Sequence, residues 1–501
     1  MEILKSLKKP VIVFIGLAAT GFFVFSSILD NSFLSDDYDS LYRICIEKRV
    51  IVKEFLRPMI DISFYVNYLI SGLDSRSYYI FNLIVHILNA FLLYKFSLKY
   101  IFFEQQRQEI FAIGTAVLFL IYPFHNEGIV WLTGRLSSMA CFFALLSLNT
   151  WMSRMNQWAK VVLGILFYFT GLLAYESILL LPLIFAILEW GKARSVKSTL
   201  GKLAFCAMLT GVYLVLRYNI SGTIYGGYGE RMVEAGQEQH LVKVAKTFGR
   251  TFLPPYENSE VLKVIFAAVM IFFILLHYQL IRRLASGRTF LLQYFKILLV
   301  FLAAMLIPVL FGISTRTSEG DRLLYFPSVF LCMIISSLIL ALLNKRIYQW
   351  AAFLLIGIYF LSFLSFNNKQ WNKASDASVQ IMSAVKNSNG RFVYFINLPD
   401  ELDGAFVFRN GFWKSLLLSG IDTSKVGVNN YLTRLSYLKT DGEIKIKTEE
   451  HNLFIFPATQ IIDAQQELFE IRNTESGHAV RLSKRNCRVY YWNKKMLIQL
   501  F

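Results

Sequence analysis

The residues of this chain best suited to chemistry are carboxylates and arginines that border long apolar runs. Asp36 and Asp37 stand in Leu34-Ser35-Asp36-Asp37-Tyr38-Asp39, just beyond the first such run. Acidic groups there can accept a proton from an incoming hydroxyl or hold a divalent metal; solvated loop carboxylates are the commoner explanation. Glu127 and Glu176 sit at tight corners between apolar runs, in Tyr122-Pro123-Phe124-His125-Asn126-Glu127 and Tyr175-Glu176. A carboxylate so placed is costly unless it has a partner or a task. Arg135 is the natural partner for Glu127, and an internal salt bridge that fixes helix packing is the competing role. Asn82, His86 and Asn89 recur at spacings of four and three and share one helix face. Interhelical hydrogen bonding is their first reading and substrate contact the second. Arg316, Glu319, Asp321 and Arg322 precede a late apolar run. Guanidinium groups suit phosphate because their fork makes paired, charge-assisted hydrogen bonds. Arg217, near the end of another run, is a weaker phosphate candidate, since a single interfacial arginine is ordinary.

The elements that must position these groups are membrane helices. Of 501 residues, 55% are hydrophobic and 17% charged, and the mean hydropathy is +0.48. A soluble core cannot hide that much apolar surface, whereas runs of roughly 15–24 residues facing lipid can. Spans are expected near 10–29, 78–98, 109–124, 128–151, 160–175, 177–190, 203–218, 261–281, 290–311, 323–343 and 347–366. The class is a polytopic α-helical membrane protein of about eleven transmembrane helices. The first run, after Lys5, Lys8 and Lys9, reads as a retained signal anchor.

The net charge of +17 first raises nucleic acid as a partner. Its location argues against that reading. Every even-numbered connection is basic: Lys95, Lys99 and Arg107; Arg154 and Lys160; Lys192, Arg194, Lys197 and Lys202; Arg282, Arg283 and Arg288; Lys345 and Arg346. The positive-inside rule then sets the N-terminus in the cytoplasm and the C-terminus outside. The carboxylate and arginine set gathers on the outer face. The first outer loop, about 30–77, is expected to hold short interfacial helices, and the outer loop 219–260 is long. Five scattered cysteines show neither a disulfide framework nor zinc-ligand spacing. No His and carboxylate spacing marks a metal site, so a divalent metal is neither required nor excluded.

Residues 371–501 are polar and form a second domain after the membrane domain 1–370. Arg391–Leu398, Leu453–Pro457 and Cys487–Trp492 read as strands and Asp463–Arg472 as helix, giving a small extracytoplasmic α/β domain.

Taken in order, these pieces resemble the GT-C superfamily of glycosyltransferases, in particular the membrane region of tetratricopeptide-repeat-containing transmembrane O-mannosyltransferases and their bacterial relatives. The matching residues are Asp36-Asp37; Arg57-Pro58 with Asn67-Tyr68 and Gly72; and Asn82, His86 and Asn89. Then come Tyr122 to Glu127 with Trp131 and Gly134-Arg135, Glu176 with Pro182, Asp321-Arg322-Leu323-Leu324-Tyr325-Phe326-Pro327-Ser328, and Trp371. The series covers roughly residues 30–375. The family's usual His, Lys and Glu are replaced by Tyr122, Tyr175 and Asp321.

The resemblance implies transfer of a sugar from a polyprenyl-phosphate donor to a hydroxyl of a protein or glycan acceptor, with inversion, on the outer side of the membrane; a bacterial plasma membrane is favoured over the endoplasmic reticulum because no tetratricopeptide repeats are seen after the membrane region and the following domain is small. Asp36 or Asp37 would be the base, Asp37 slightly preferred. Arg316, Arg322 and Arg217 would bind phosphate, with Glu127, Arg135, Glu176, His86, His125 and Asp321 in support. The rival readings are a transporter or lipid flippase, which would show repeated halves and midplane charges, and a non-catalytic scaffold presenting the C-terminal domain. An O-antigen ligase or polymerase is the closest rival among enzymes.

Overall fold

The structure is a computed structural model that describes residues 2–49, 55–100, 102–190, 196–222, 224, 240–256, 259–283, 288–315, 317–432, 445–449, 452–456, 460–464, 468–473, 479–483, 486–493 and 495–500. The helices in chain order are α1 (Glu2–Val24), α2 (Asp36–Leu41), α3 (Pro58–Ser71), α4 (Ser75–Lys99), α5 (Gln105–Leu120), α6 (Asn126–Ile129), α7 (Arg135–Trp151) and α8 (Gln157–Leu172). They continue with α9 (Leu181–Glu189), α10 (Val196–Ser221), α11 (His240–Arg250), α12 (Ser259–Arg283), α13 (Arg288–Phe311), α14 (Tyr325–Leu342), α15 (Arg346–Lys386) and α16 (Phe412–Leu418).

Among the described residues, six helices are long and apolar enough to cross a membrane, or seven if α5 and the Pro123–Ile129 segment, bent by 49°, count as one span. The protein is an integral membrane protein. Each of the eleven apolar runs contains a helix, but α7, α8 and α9 have 17, 16 and nine residues. The run 128–151 does not form one rod. Its chain breaks between α6 and α7, because Gly134 folds back until its Cβ position lies against the Glu127 carbonyl oxygen. The first outer loop does contain the expected short helices, α2 and α3.

Contacts divide the chain into two units. The first comprises Met1–Leu29 and Lys48–Asn368, the second Asp30–Glu47 and Lys369–Phe501. In the first, α14 is the central helix: nearly all of its side chains are buried, including Tyr325, Phe326 and Ser328. A helix apolar on every face is a core helix. Polar bonds fix its neighbours. Asn367 Nδ2 donates to the Pro123 carbonyl at 2.9 Å and Asn126 Nδ2 to Asn368 Oδ1 at 2.5 Å.

The second unit is built on a four-stranded sheet in the order β11-β10-β1-β4. Here β1 is Phe392–Pro399, followed in the chain by the short pair β2 (Glu401–Leu402) and β3 (Ala405–Phe406), then β4 (Val426–Leu432). Strands β10 (Cys487–Trp492) and β11 (Leu497–Gln499) complete it, with β1 parallel to both β4 and β10. Strand β1 is buried almost throughout, as a central parallel strand should be. Phe412 of α16 packs on Phe395 and Phe408, with ring centroids 6.0 and 5.1 Å away.

A second sheet is an antiparallel meander of five strands: β5 (Lys445–Glu449), β6 (Asn452–Phe456), β7 (Gln460–Ala464), β8 (Leu468–Asn473) and β9 (Ala479–Ser483). The helical expectation for Asp463–Arg472 is therefore wrong. Ile461 pairs with Arg472 and Ile462 with Ile471; the alternation Phe469-Glu470-Ile471-Arg472 has the period of a strand. The last apolar run is the first part of α15, a helix of 41 residues that runs on through Trp371 to Lys386.

The close approach at Gly134 makes a specific demand. Gly134→Ala is expected to lower stability by about 1–3 kcal/mol, because backbone cannot move aside as a flexible side chain would. Gly211→Ala, where nothing lies within 4 Å of the added carbon, should be neutral or slightly stabilising. Melting temperatures in detergent test the pair, and equal melting for both variants would contradict the argument.

Candidate active site

The acidic loop belongs to the second unit. Asp36 and Asp37 open α2, and Ser35 before it adopts φ 50°, ψ −123°, a conformation that L residues rarely hold without support. The two aspartates differ. Asp37 is fully buried, and its Oδ2 accepts the Leu34 N–H at 3.1 Å, closing its own turn. Asp36 is partly exposed, and its Oδ1 accepts from Asn410 Nδ2 at 2.5 Å. Asp39, half-buried on the same helix, is pushed up to about 6 by burial and by Asp36 beside it, against the opposing pull of Lys414. Tyr38 stacks on Phe408 at 6.1 Å, and its phenol, pushed up to about 12 by burial, lies 3.3 Å from Ser378 Oγ.

The arginines belong to the first unit and are arranged as ion pairs. Glu176 is shared by two of them. Arg57 Nη2 reaches Oε1 at 2.6 Å, and Arg217 Nη1 reaches Oε2 at 3.2 Å. Arg217 also donates to Tyr213 Oη at 2.9 Å, and the Arg57 guanidinium lies 4.7 Å from the Tyr175 ring. Both arginines thus converge on Glu176, and Arg217 is only 2% exposed. Beside it opens a cavity of about 120 Å³ lined by Glu176, Arg217 and Tyr213 and by Leu214, Leu310 and Phe311. The cavity is apolar along most of its wall and meets the Glu176–Arg217 ion pair at one side.

The remaining pairs lie at the start of α14. Gly320, with φ 90°, turns the chain into a short 3-10 segment Asp321–Leu324. Glu127 accepts the Arg322 backbone N–H at 2.9 Å and also binds the Arg322 guanidinium, which lies over Trp131 at 5.3 Å. Asp321 pairs with Arg250 of α11, whose Nε donates to the Ser314 carbonyl at 3.0 Å. These bonds satisfy helix-terminal groups as well as charges.

Several expectations change. Glu127 pairs with Arg322, not with Arg135. Arg135 is fully buried elsewhere, donating to Asn67 Oδ1 at 2.8 Å and Ser63 Oγ at 3.1 Å, with Phe64 4.3 Å from its guanidinium. His86 is a packing residue. Its Nε2 lies 3.0 Å from the Leu120 carbonyl and its Nδ1 2.6 Å from Tyr325 Oη. A carbonyl only accepts, so Nε2 is assigned the proton and Tyr325 donates to Nδ1. His125 Nε2 meets Ser328 Oγ at 2.7 Å, also in the buried interior. Arg316 lies outside the described residues. Arg57 and Arg250 were missed as partners: Arg250 falls in a polar loop with no apolar run to frame it, while Arg57 was visible as Arg57-Pro58. Among the described residues no group of three or more His, Cys, Asp or Glu is placed to hold a metal ion.

Asp39 gives the loop a pH signature. Its folded value near 6 lies above the unfolded value of about 3.9. It therefore favours folding below about pH 4, and that contribution is lost as pH rises through 6. Asp39→Asn is expected to melt higher than the parent at pH 7.5 and together with it near pH 4. A difference that does not change with pH would contradict the assignment.

No protein-family model matches the chain. It is 27% identical over 123 residues to Protein O-mannosyl-transferase Tmtc1 of Drosophila melanogaster, which covers 24% of this chain and 14% of that protein. It is 28% identical over 101 residues to Protein O-mannosyl-transferase TMTC1 of Mus musculus, covering 20% of this chain and 10% of the mouse protein. The matched stretches are thus a small part of either relative. A crystal structure of ArnT from Cupriavidus metallidurans bound to undecaprenyl phosphate aligns with a TM-score of 0.42 and 11% identity, over 86% of this chain and 94% of that one. Over the matched stretches the chain is similar to protein O-mannosyl-transferases, in agreement with the resemblance to the GT-C superfamily that its motifs carry.

Proposed function

We propose that this chain is a GT-C-type glycosyltransferase that moves a sugar from a polyprenyl-phosphate donor to an acceptor hydroxyl on the outer face of the membrane. The observation that carries the reading is the apolar cleft lined by Arg217 and Glu176, with Arg57 paired to the same Glu176. The similarity to protein O-mannosyl-transferases supports the reaction class and makes mannose and a protein hydroxyl the first donor and acceptor to try.

In this reading Asp36 is the base, because it is partly exposed while Asp37 is buried and tied to Leu34. The acceptor oxygen attacks the anomeric carbon as its proton passes to the Asp36 carboxylate. The bond from that carbon to the phosphate oxygen breaks on the opposite face, inverting the centre, and polyprenyl phosphate leaves with the bonding electrons. Arg217 and Arg57 balance the charge that develops on the leaving phosphate. Glu127, Asp321 and Arg250 hold the helix ends, and Arg316 and Arg322 keep the phosphate-binding role expected of them, Arg322 with a guanidinium that Glu127 also binds. The basic even connections support an N-terminus in the cytoplasm and a second unit outside, and a bacterial plasma membrane is part of the same proposal.

The experiment uses purified protein in nanodiscs with synthetic undecaprenyl-phosphate mannose, then other polyprenyl-phosphate hexoses, and hydroxyl-bearing peptides as acceptors. Asp36→Asn should lower transfer about 10²–10⁴-fold with normal membrane insertion. Activity within a few-fold of the parent in both Asp36→Asn and Asp37→Asn would overturn the assignment. Arg217→Leu should raise the donor KM roughly tenfold or more and leave the acceptor KM unchanged. Equal losses for both substrates would remove the phosphate role.

A further inference from the structure

We infer that the turn Val407–Gly411 of the second unit positions the Asp36 carboxylate, with Asn410 as the positioning residue. The inference rests on the reading of Asp36 as the base.

Four observations converge on this turn. The Ser35 N–H donates to the Val407 carbonyl at 2.8 Å, and the Asn410 N–H donates to Ser35 Oγ at 3.3 Å. Asn410 Nδ2 donates to Asp36 Oδ1 at 2.5 Å. Gly411, at φ 78°, brings its Cβ position within 2.3 Å of the Ser35 carbonyl oxygen, so a side chain there would push the acidic loop away. Together these contacts hold Ser35 in its unfavourable conformation, and that conformation aims the residue after it. Backbone strain that the surroundings over-determine is a mark of a site that must keep its geometry.

The Asn410 side chain is itself exposed, while the packing of the turn is carried by its neighbours Phe408 and Phe412. Its amide is thus not part of the core. Binding Oδ1 fixes the rotation of the carboxylate and hence the direction of Oδ2. A donor to the anion also lowers its proton affinity. The charged residues on the elements that meet here include Asp37 and Asp39 on α2, Arg409 in the turn, and Lys414 of α16, which lies 3.9 Å from Glu47.

The test compares Asn410→Ala, Asn410→Gln and Asn410→Asp in the full-length protein in nanodiscs. Carbodiimide labels a carboxyl only when protonated, so labelling of Asp36 against pH, read by peptide mass spectrometry, reports its titration without substrate. Asn410→Ala should move the labelling midpoint upward by about half a unit or more and lower kcat with the donor KM unchanged. Asn410→Gln, which keeps the donor at an exposed position, should restore both. Asn410→Asp should move the midpoint further up, because a second anion then faces the first. An unmoved midpoint in Asn410→Ala and Asn410→Asp overturns the inference, as does a kcat loss that Asn410→Gln fails to rescue. If Asp36→Asn remains active, the base reading itself falls. If Asp36→Asn is inactive while Asn410→Ala transfers normally, the positioning role alone falls.

Discussion

A carboxylate without a counter-charge, taken out of water into an apolar helical bundle, costs several kcal/mol. That constraint organises the first unit. Glu127, Glu176 and Asp321 each bind arginine from a distant stretch of chain: Arg322, then Arg57 with Arg217, then Arg250. The pairs stand where helices begin, break or turn, so charge neutralisation and the closing of orphan helix ends are accomplished by the same atoms. Gly134 and Gly320 are the places where the backbone has to bend for those bonds to form.

The same logic separates structural charges from chemical ones. Glu127 is matched closely by one arginine and by a backbone N–H of the same residue, a bond set that holds a helix in place. Glu176 carries two arginines and faces a cleft of apolar side chains. Asp37 accepts the Leu34 N–H and Asp36 the Asn410 amide, bonds that orient both carboxylates.

Much of this was legible before any coordinates. The apolar runs located the helices, the resemblance pointed to Asp36-Asp37, and the corners at Glu127 and Glu176 were marked as costly carboxylates. What the sequence could not resolve was pairing. Arg135 is close to Glu127 along the chain, but the break at Gly134 turns its guanidinium toward Ser63 and Asn67, and Arg322 comes in from nearly two hundred residues away. His86 reads first as an interhelical hydrogen-bonding residue, and its two nitrogens, bonded to Leu120 and Tyr325, agree with that reading. The meander of β5 to β9 was misread at Asp463–Arg472 because acidic and amide residues at its start imitate a helix. Nor was it visible that Asp30–Glu47 packs with the C-terminal unit, since that association depends on backbone contacts at Ser35 and Val407 that leave no periodic trace.

The most direct measurement is the structure of the protein in nanodiscs with undecaprenyl phosphate bound. The account places a phosphate oxygen within roughly 3 Å of the Arg217 or Arg57 guanidinium, with the prenyl chain along Leu214, Leu310 and Phe311. A phosphate bound away from both arginines, with the cleft empty, would contradict it.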